Sequence, residues 1–209
     1  MKTIENLKWR YATKQFDSTK KVADSDLELI KESIQLSASS YGLQLFKVLI
    51  IKDNAVKEKL KAASWNQAQL TDASHILVFC NYATPNDKYV DEYIENKSKT
   101  QGIAVKDLAG YADFMKGAIN SRSVEDFNVW TAKQTYIALG TALEAASELK
   151  IDNCPMEGFD PAQYNEILGL KEHNLNAAVV AAIGYRSSDD ATQHQQKVRK
   201  TKEELFKVV

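Results

Sequence analysis

Sulfur is scarce in this 209-residue chain, where Cys80 and Cys154 are the only cysteines. Each sits beside apolar residues, and two thiols are too few for a disulfide framework or a zinc ribbon. An excess charge of one sign is also lacking. The 27 Lys and Arg residues stand against 28 Asp and Glu, leaving a net charge of -1. A protein built to hold nucleic acid or an anionic membrane carries surplus cations, so neither partner is expected. The longest apolar stretch, Ala177 to Gly184, is less than half of the roughly 20 residues that span a bilayer. Met1 to Phe16 is polar and charged, without the basic stub and apolar core of a secretory signal, so a cytoplasmic location is expected. With 3 Pro and 8 Gly and no repeat, nothing reads as a linker, and residues 1–209 are expected to form one domain. There is no P-loop, no GxGxxG after a strand, no HExxH, no CxxC and no GxSxG. His75, His173 and His194 are not spaced as ligands, so no metal is expected. His75 reads as a satisfied buried imidazole.

What is present is a composition of 44% hydrophobic and 26% charged residues, that of a globular protein. A compact monomer of 23.4 kDa exposes roughly 9,700 Å² against about 34,000 Å² unfolded, so about 70% of its surface can be buried. Ser25 and Glu28 have capping-box spacing, and Leu27, Ile30 and Ile34 follow with helical periodicity, which predicts a helix to Ser37. Phe46 to Ile51, Ser74 to Asn81 and Ala177 to Tyr185 read as buried strands, and Ala55 to Ala63 as a short helix. The polar segment 84–123 carries weak helical patterning around Lys88–Lys97 and Lys106–Lys116 and reads as a lid or excursion. The longest helix is predicted over Val124–Leu149 with Ser123 as its N-cap; Ala138, Ala142, Ala145 and Ala146 allow another helix to approach closely. Asp160 and Pro161 mark a further helix start and Gly169 its stop. Strands separated by long helices indicate an α+β or α/β sandwich with a central sheet covered on both faces.

Four segments carry candidate chemistry. "RYATK" places Arg10 and Lys14 four residues apart, and "KVRK" supplies Lys197, Arg199 and Lys200; Arg can clasp a phosphate bidentately and Lys can add a point charge. From spacing alone both also read as solvated basic patches. In "NCPMEGF", Gly158 permits close backbone approach or a positive φ, although the segment also reads as a helix-to-helix turn. In "LSASSYGLQLF", Ser37, Ser39 and Ser40 sit between a helix and a strand and read on composition as a polar loop.

In this order and at this spacing, the segments resemble the nitroreductase family of flavoproteins, in particular its oxygen-insensitive NAD(P)H nitroreductase and dihydropteridine reductase branch. "RYATK" is similar to that branch's "RHSTK", and Ala38–Phe46 to "PSSxNxQPW". Thr71–His75 before "ILVFC" resembles "LDASH" before its strand. Trp130–Gln134 resembles "WMAKQ", Pro155–Phe159 "PIEGF", and Lys197–Arg199 "KSR". The likeness runs from about residue 4 to about residue 200 and is interrupted mainly over 84–124.

The resemblance implies an α+β three-layer sandwich, with a central, mostly antiparallel sheet flanked by helices, in an intertwined homodimer that binds FMN at its interface. It implies Arg10, Lys197 and Arg199 at the phosphate, with Tyr11 and Ala12 beside them, and Lys14 at the pyrimidine edge, where a cation stabilises charge gained on reduction. Asn66 and Gln69 would bond the pyrimidine edge, and Pro155, Met156, Glu157 and Gly158 would face the N5 side. Ser39, Ser40 and Gln134 would reach across from the other subunit. Tyr111, Phe114 and Phe127 are candidate substrate-side aromatics. The implied activity is ping-pong hydride transfer from NADH or NADPH through FMN to nitroaromatic or quinone-type acceptors. Reductive dehalogenation, flavin reduction for another enzyme and a non-catalytic flavin-binding dimer are the alternatives. Tyr11, Ala12, Ala38, Gly42, Leu45 and Gln69 depart from the family pattern.

Overall fold

The computed structural model describes residues 1–209. In chain order its elements are α1 (Lys2–Trp9), α2 (Asp24–Gln35), β1 (Phe46–Ile51), α3 (Asn54–Ala62), α4 (Gln69–Asp72) and β2 (His75–Tyr82). There follow α5 (Lys88–Gln101), α6 (Ala109–Asn120), α7 (Val124–Glu148), β3 (Asp152–Met156), α8 (Pro161–Ile167), β4 (Leu175–Gly184) and α9 (Lys202–Leu205). The four strands form one antiparallel sheet in the order β1-β2-β4-β3. The α+β sandwich with an antiparallel sheet is therefore observed. No helix is long and apolar enough to cross a membrane.

Strand alternation divides the core into two layers. Along β2, Ile76, Val78 and Cys80 join a cluster with Leu60, Leu70, Phe159 and Tyr164, under α3, α4 and α8. The intervening Leu77 and Phe79 face a second cluster with Leu27, Ile30 and Ile34 of α2 and Ala138, Ala142 and Ala146 of α7. A bulge keeps β4 in step. Phe79 pairs with Val179 and Cys80 with Ala177, which leaves Ala178 as the extra residue. Ala177 and Val180 can then both face the first layer despite their odd spacing. Helix α7 begins as predicted: Ser123 Oγ accepts from the Asp126 amide at 3.0 Å. Its small residues lie against α2, where close approach needs them.

Three local expectations are corrected. Helix α2 starts one residue earlier than the capping box, with Ala23 at the N-cap and no side-chain cap; Asp24 and Asp26 in its first turn meet the positive helix end instead. Residues 152–156 are a strand, not a helix-to-helix turn. Pro155 is tolerated because β3 is an edge strand whose outer side is unpaired at that position, the only bridge there being Ala12 to Asn153. Helix α1 has no counterpart in the periodicity. It is held by tertiary contacts, since the buried Asn6 carboxamide accepts from Lys150 Nζ at 2.7 Å and donates to Glu148 Oε2 at 2.5 Å. Asp160 and Pro161 do open α8, with the Asp160 carboxylate accepting from the Ala162 amide at 2.9 Å, and Gly169 follows it in the left-handed region at φ 63°.

The segment 84–123 folds into α5 and α6 over its own apolar cluster of Val90, Ile94, Met115 and Ile119. Phe127 is fully buried in that cluster, which removes it from the substrate-side aromatics. A polar joint ties this cluster to the sheet. Asn81, fully buried at the end of β2, donates to Asn128 Oδ1 at 2.6 Å and Thr131 Oγ1 at 2.9 Å on α7. Asn81→Leu leaves these acceptors without their donor, which costs about 1–3 kcal/mol. The expected outcome is a lower urea midpoint with an unchanged m-value; an unchanged midpoint would show that the joint contributes nothing.

Candidate functional site

The site is built where the N-terminal segment meets the head of β3. The extended chain from Arg10 to Asp17 is pinned against the ends of β3 and β4. The Thr13 amide donates to Asn153 O at 3.2 Å, the Ser187 amide to Gln15 O at 2.9 Å, and the Asp17 amide to Tyr185 O at 2.8 Å. Ala12 forms a bridge with Asn153, and Phe16 with Arg186. One carboxylate organises this turn. Buried Asp190 Oδ2 accepts from the Tyr11 hydroxyl at 2.9 Å and from the amides of Lys14 and Gln15 at 2.8 and 3.2 Å. Burial pushes the Asp190 carboxyl up, but these donors and the Thr192 amide outweigh it and hold its pKa below the usual range.

Around this turn gather cations that lack carboxylate partners. Arg10 Nε donates to Asn153 Oδ1 at 3.2 Å, Lys197 Nζ to Lys8 O at 2.6 Å, and Arg199 to its neighbour Val198 O at 2.7 Å. Burial and then the Arg199 charge lower the pKa of Arg10. Burial, followed by Arg10, Arg199 and Arg186, lowers that of Lys197. The structure therefore brings Arg10, Lys197 and Arg199 into one electropositive cluster. Arg186 differs: its guanidinium pairs with Asp152 at 2.6 Å and lies over the rings of Trp9 and Tyr11 at 4.5 and 4.6 Å. Inside the cluster, Thr13 Oγ1 and Asn153 Nδ2 are buried with no hydrogen-bond partner. Lys14 is exposed on the same turn. It and Arg10 both act on the Cys154 thiol, whose pKa burial raises more than they lower it.

The far end of β3 carries the second half. From Asn153 to Met156 the strand advances about 10 Å. There the loop before α4 meets the turn after β3, with Gln67 as the link. Gln67 Nε2 donates to Gly158 O at 2.7 Å and to Ser64 O at 3.1 Å. Gly158 does not adopt a positive φ. It is needed for close approach, since a Cβ there would lie 3.0 Å from Gln67 Nε2 and 3.1 Å from the Trp65 ring. Asn66 is exposed in the left-handed region at φ 59°, while Gln69 is buried at the start of α4. The Glu157 carboxylate accepts from the Tyr136 hydroxyl at 2.5 Å; burial and then this bond push the Tyr136 phenol up to about 12. Pro155, Met156 and Glu157 line one side of an apolar hollow of about 420 Å³, with Leu139, Gly140 and Leu143 of α7 opposite.

Ser39, Ser40 and Gln134 lie elsewhere. The Ser39–Ser40 loop leads into β1, the edge strand opposite β3, and Gln134 of α7 meets it there. Gln134 is buried, and both ends of its carboxamide are used within the chain, accepting from the Ser40 amide at 2.8 Å and donating to Trp130 O at 3.2 Å. Near them Tyr41 packs edge-on against Phe114, with ring centroids 5.9 Å apart. Phe114 remains 60% exposed. Six residues that build the site were not singled out by sequence reasoning: Gln67, Tyr136, Asp152, Asn153, Arg186 and Asp190. The only signal for the last two was a basic residue and paired acids directly after a strand, which on sequence reads as a polar tail.

A profile of the Nitroreductase family matches residues 7–185. A Staphylococcus saprophyticus protein provisionally named NAD(P)H nitroreductase SSP0379 is 33% identical over 210 residues, covering 97% of this chain and 94% of its own. Among solved structures, one from Staphylococcus epidermidis, provisionally named an NAD(P)H:FMN oxidoreductase, superposes with a TM-score of 0.89 at 20% identity, over 99% of this chain and 95% of that one. A provisionally named nitroreductase from Exiguobacterium sibiricum, solved in complex with FMN, gives 0.83 at 16% identity, over 99% and 97%. These structures share the fold, and the two-layered core, the antiparallel sheet and the matched segments together show that this chain belongs to the Nitroreductase family.

Proposed function

We propose that this chain is an FMN-dependent oxidoreductase that uses NADH or NADPH to reduce nitroaromatic or quinone-type acceptors in two half-reactions at one site. The observation that carries the reading is the cluster of Arg10, Lys197 and Arg199 at the head of β3, which has no carboxylate to neutralise it. Mutual repulsion makes such a cluster unfavourable unless an anion joins it, and a phosphate monoester accepts charge-assisted bonds from all three. The residues fit FMN in a second respect. The orphaned Thr13 hydroxyl and Asn153 carboxamide are buried donors of the kind a phosphate or ribityl oxygen satisfies. Ala12 stands where the family pattern has Ser, and Thr13, which matches that pattern, keeps a hydroxyl next to it.

When bound, the flavin supplies the redox chemistry, and no side chain is required as a nucleophile. The chain's own residues bind, orient and polarise. Arg10, Lys197 and Arg199 hold the phosphate, with the turn that carries Arg10 and Lys14 fixed by Asp190. Lys14, free of any ion pair, offers its ammonium to the pyrimidine edge, where negative charge gathers on reduction. Asn66, Gln69 and the 155–158 segment complete the ring end, about one β3 length from the phosphate end.

The second subunit is part of the same reading. The chain exposes 11977 Å², about 2,200 Å² more than a compact monomer of this mass. The excess includes apolar Val129 and Ile137 on α7 and Leu205 and Phe206 near the C-terminus. Burying these faces in a homodimer would also bring the partner's Ser39–Ser40 loop, held on its own β1 edge, to the β3 end of this chain. The α5–α6 unit with exposed Tyr111 and Phe114 is then the lid over the acceptor side.

Arg199→Ala removes one of three phosphate cations and is expected to raise the FMN dissociation constant about 10-fold or more. Flavin retention through gel filtration checks this, and retention equal to the parent's would remove Arg199 from the phosphate site. Lys14→Ala is expected to slow flavin reduction by NADH or NADPH by about 10- to 100-fold while changing FMN affinity less. Stopped-flow absorbance measures the rate, and an unchanged rate would refute the role given to Lys14.

A further inference from the structure

A hollow of about 530 Å³ opens at the β2 start of the sheet, between the N-terminus of α2, the end of β1 and the first turns of α3. It shares no residue with the site assigned above. His75 on its floor pairs with Ile183, which in turn pairs with Asn153, so two strand spacings separate it from the cation cluster.

Its lining contains a buried ammonium without a counter-charge. Lys57 is 1% exposed and donates to the carbonyls of Ala73 and Ser74 at 2.8 and 2.9 Å. An ammonium has three N–H donors, so one is left without an acceptor in the chain, and no carboxylate is paired with it. Burial, and then the nearby charge of Lys21, push the Lys57 pKa down to about 8. Removing a charge from water without pairing it is costly, which makes an added anion favourable here.

His75 supplies a second buried polar group. The imidazole is 5% exposed, and its Nδ1 lies 2.9 Å from Ser74 Oγ. That hydroxyl already accepts from the Val22 amide at 2.8 Å. Whichever of Oγ and Nδ1 donates in their contact, Nε2 meets no partner within the chain. Lys52 and Asp24, on the rim, pair with each other at 3.0 Å. Three ammonium groups against one carboxylate leave the lining with two positive charges in excess. The start of α2, a 12-residue helix with no side-chain cap, forms one wall, where Asp24 and Asp26 of its first turn already meet the positive helix end.

We propose that this hollow is a second ligand site that takes a small phosphate-bearing molecule, its phosphate seated between Lys57, His75 and Lys21. The volume leaves room for an organic group beyond the phosphate. The site is independent of the flavin reading.

The test is a titration of the full-length protein with inorganic phosphate at constant ionic strength, with and without added FMN, followed by ¹H–¹⁵N amide shifts. Saturating shifts are expected at Val22–Asp24, Ser74 and His75 in both conditions. Lys21→Glu reverses an exposed charge that holds no partner in the fold, and it is expected to weaken phosphate binding about 10-fold or more. Arg199→Ala should leave the affinity at these amides unchanged. Shifts that fail to saturate, that are the same in Lys21→Glu, or that vanish instead in Arg199→Ala would each overturn the proposal.

Discussion

Everything at the head of β3 depends on how the chain holds three like charges together. Arg10, Lys197 and Arg199 come from opposite ends of the sequence, and nothing in the chain neutralises them. Two buried carboxylates make the arrangement possible without joining it. Asp152 takes Arg186, which would otherwise be a fourth free cation and is also wedged between Trp9 and Tyr11. Asp190 receives the Tyr11 hydroxyl and the amides of Lys14 and Gln15, which sets the path of the turn that carries Arg10 and Lys14. On the reading proposed above, groups that do not compete for a phosphate dianion hold the cluster ready for one. That is pre-organisation in the ordinary sense: the ordering cost is met by folding and not at binding.

The sheet sets the scale on which the rest of the site is laid out. β3 is an edge strand whose outer side takes only the Ala12 bridge at Asn153, and its length separates a cationic end from an end built of Gln67, Glu157 and Gly158. The opposite edge, β1, carries the Ser39–Ser40 loop. A chain with this strand order cannot fold its β1 edge onto its β3 edge. In the homodimer we propose, a second copy would bring its serine loop to the β3 site and cover the apolar residues that α7 and the C-terminal segment leave in water.

How far this could be read from the residues depended on whether a signal was local. The strands at 46–51, 74–81 and 177–185 announced themselves as continuous apolar runs, because both faces of the sheet are covered. Helix α7 was legible from its small residues and its Ser123 cap, and α8 from Asp160-Pro161. β3 was not, because Pro155 and the polar Asp152 and Asn153 conceal a strand whose pairing on one side alone permits them. Helix α1 depends on Glu148 and Lys150, more than 140 positions away, and no window of sequence contains both partners. The same holds for the site. Arg10, Lys14, Lys197 and Arg199 were visible as residue types suited to phosphate, but that Arg10 and Arg199 meet is a property of the fold. Asp190 and Arg186 looked like members of a polar tail. Phe127 looked like a substrate-side aromatic, and the packing of α5 and α6 instead places it in the core. The family likeness supplied what spacing could not, namely the ligand that would make these separate patches one site.

The measurement that tests the central claim most directly is the visible spectrum of the purified protein under anaerobic conditions, before and after NADH or NADPH. The account predicts a yellow protein, or a colourless one that becomes yellow on taking up one FMN per chain. It predicts that the colour bleaches with the nicotinamide and returns when a quinone or nitroaromatic is added. A folded protein that takes up no FMN, or whose bound FMN neither nicotinamide reduces, would contradict it.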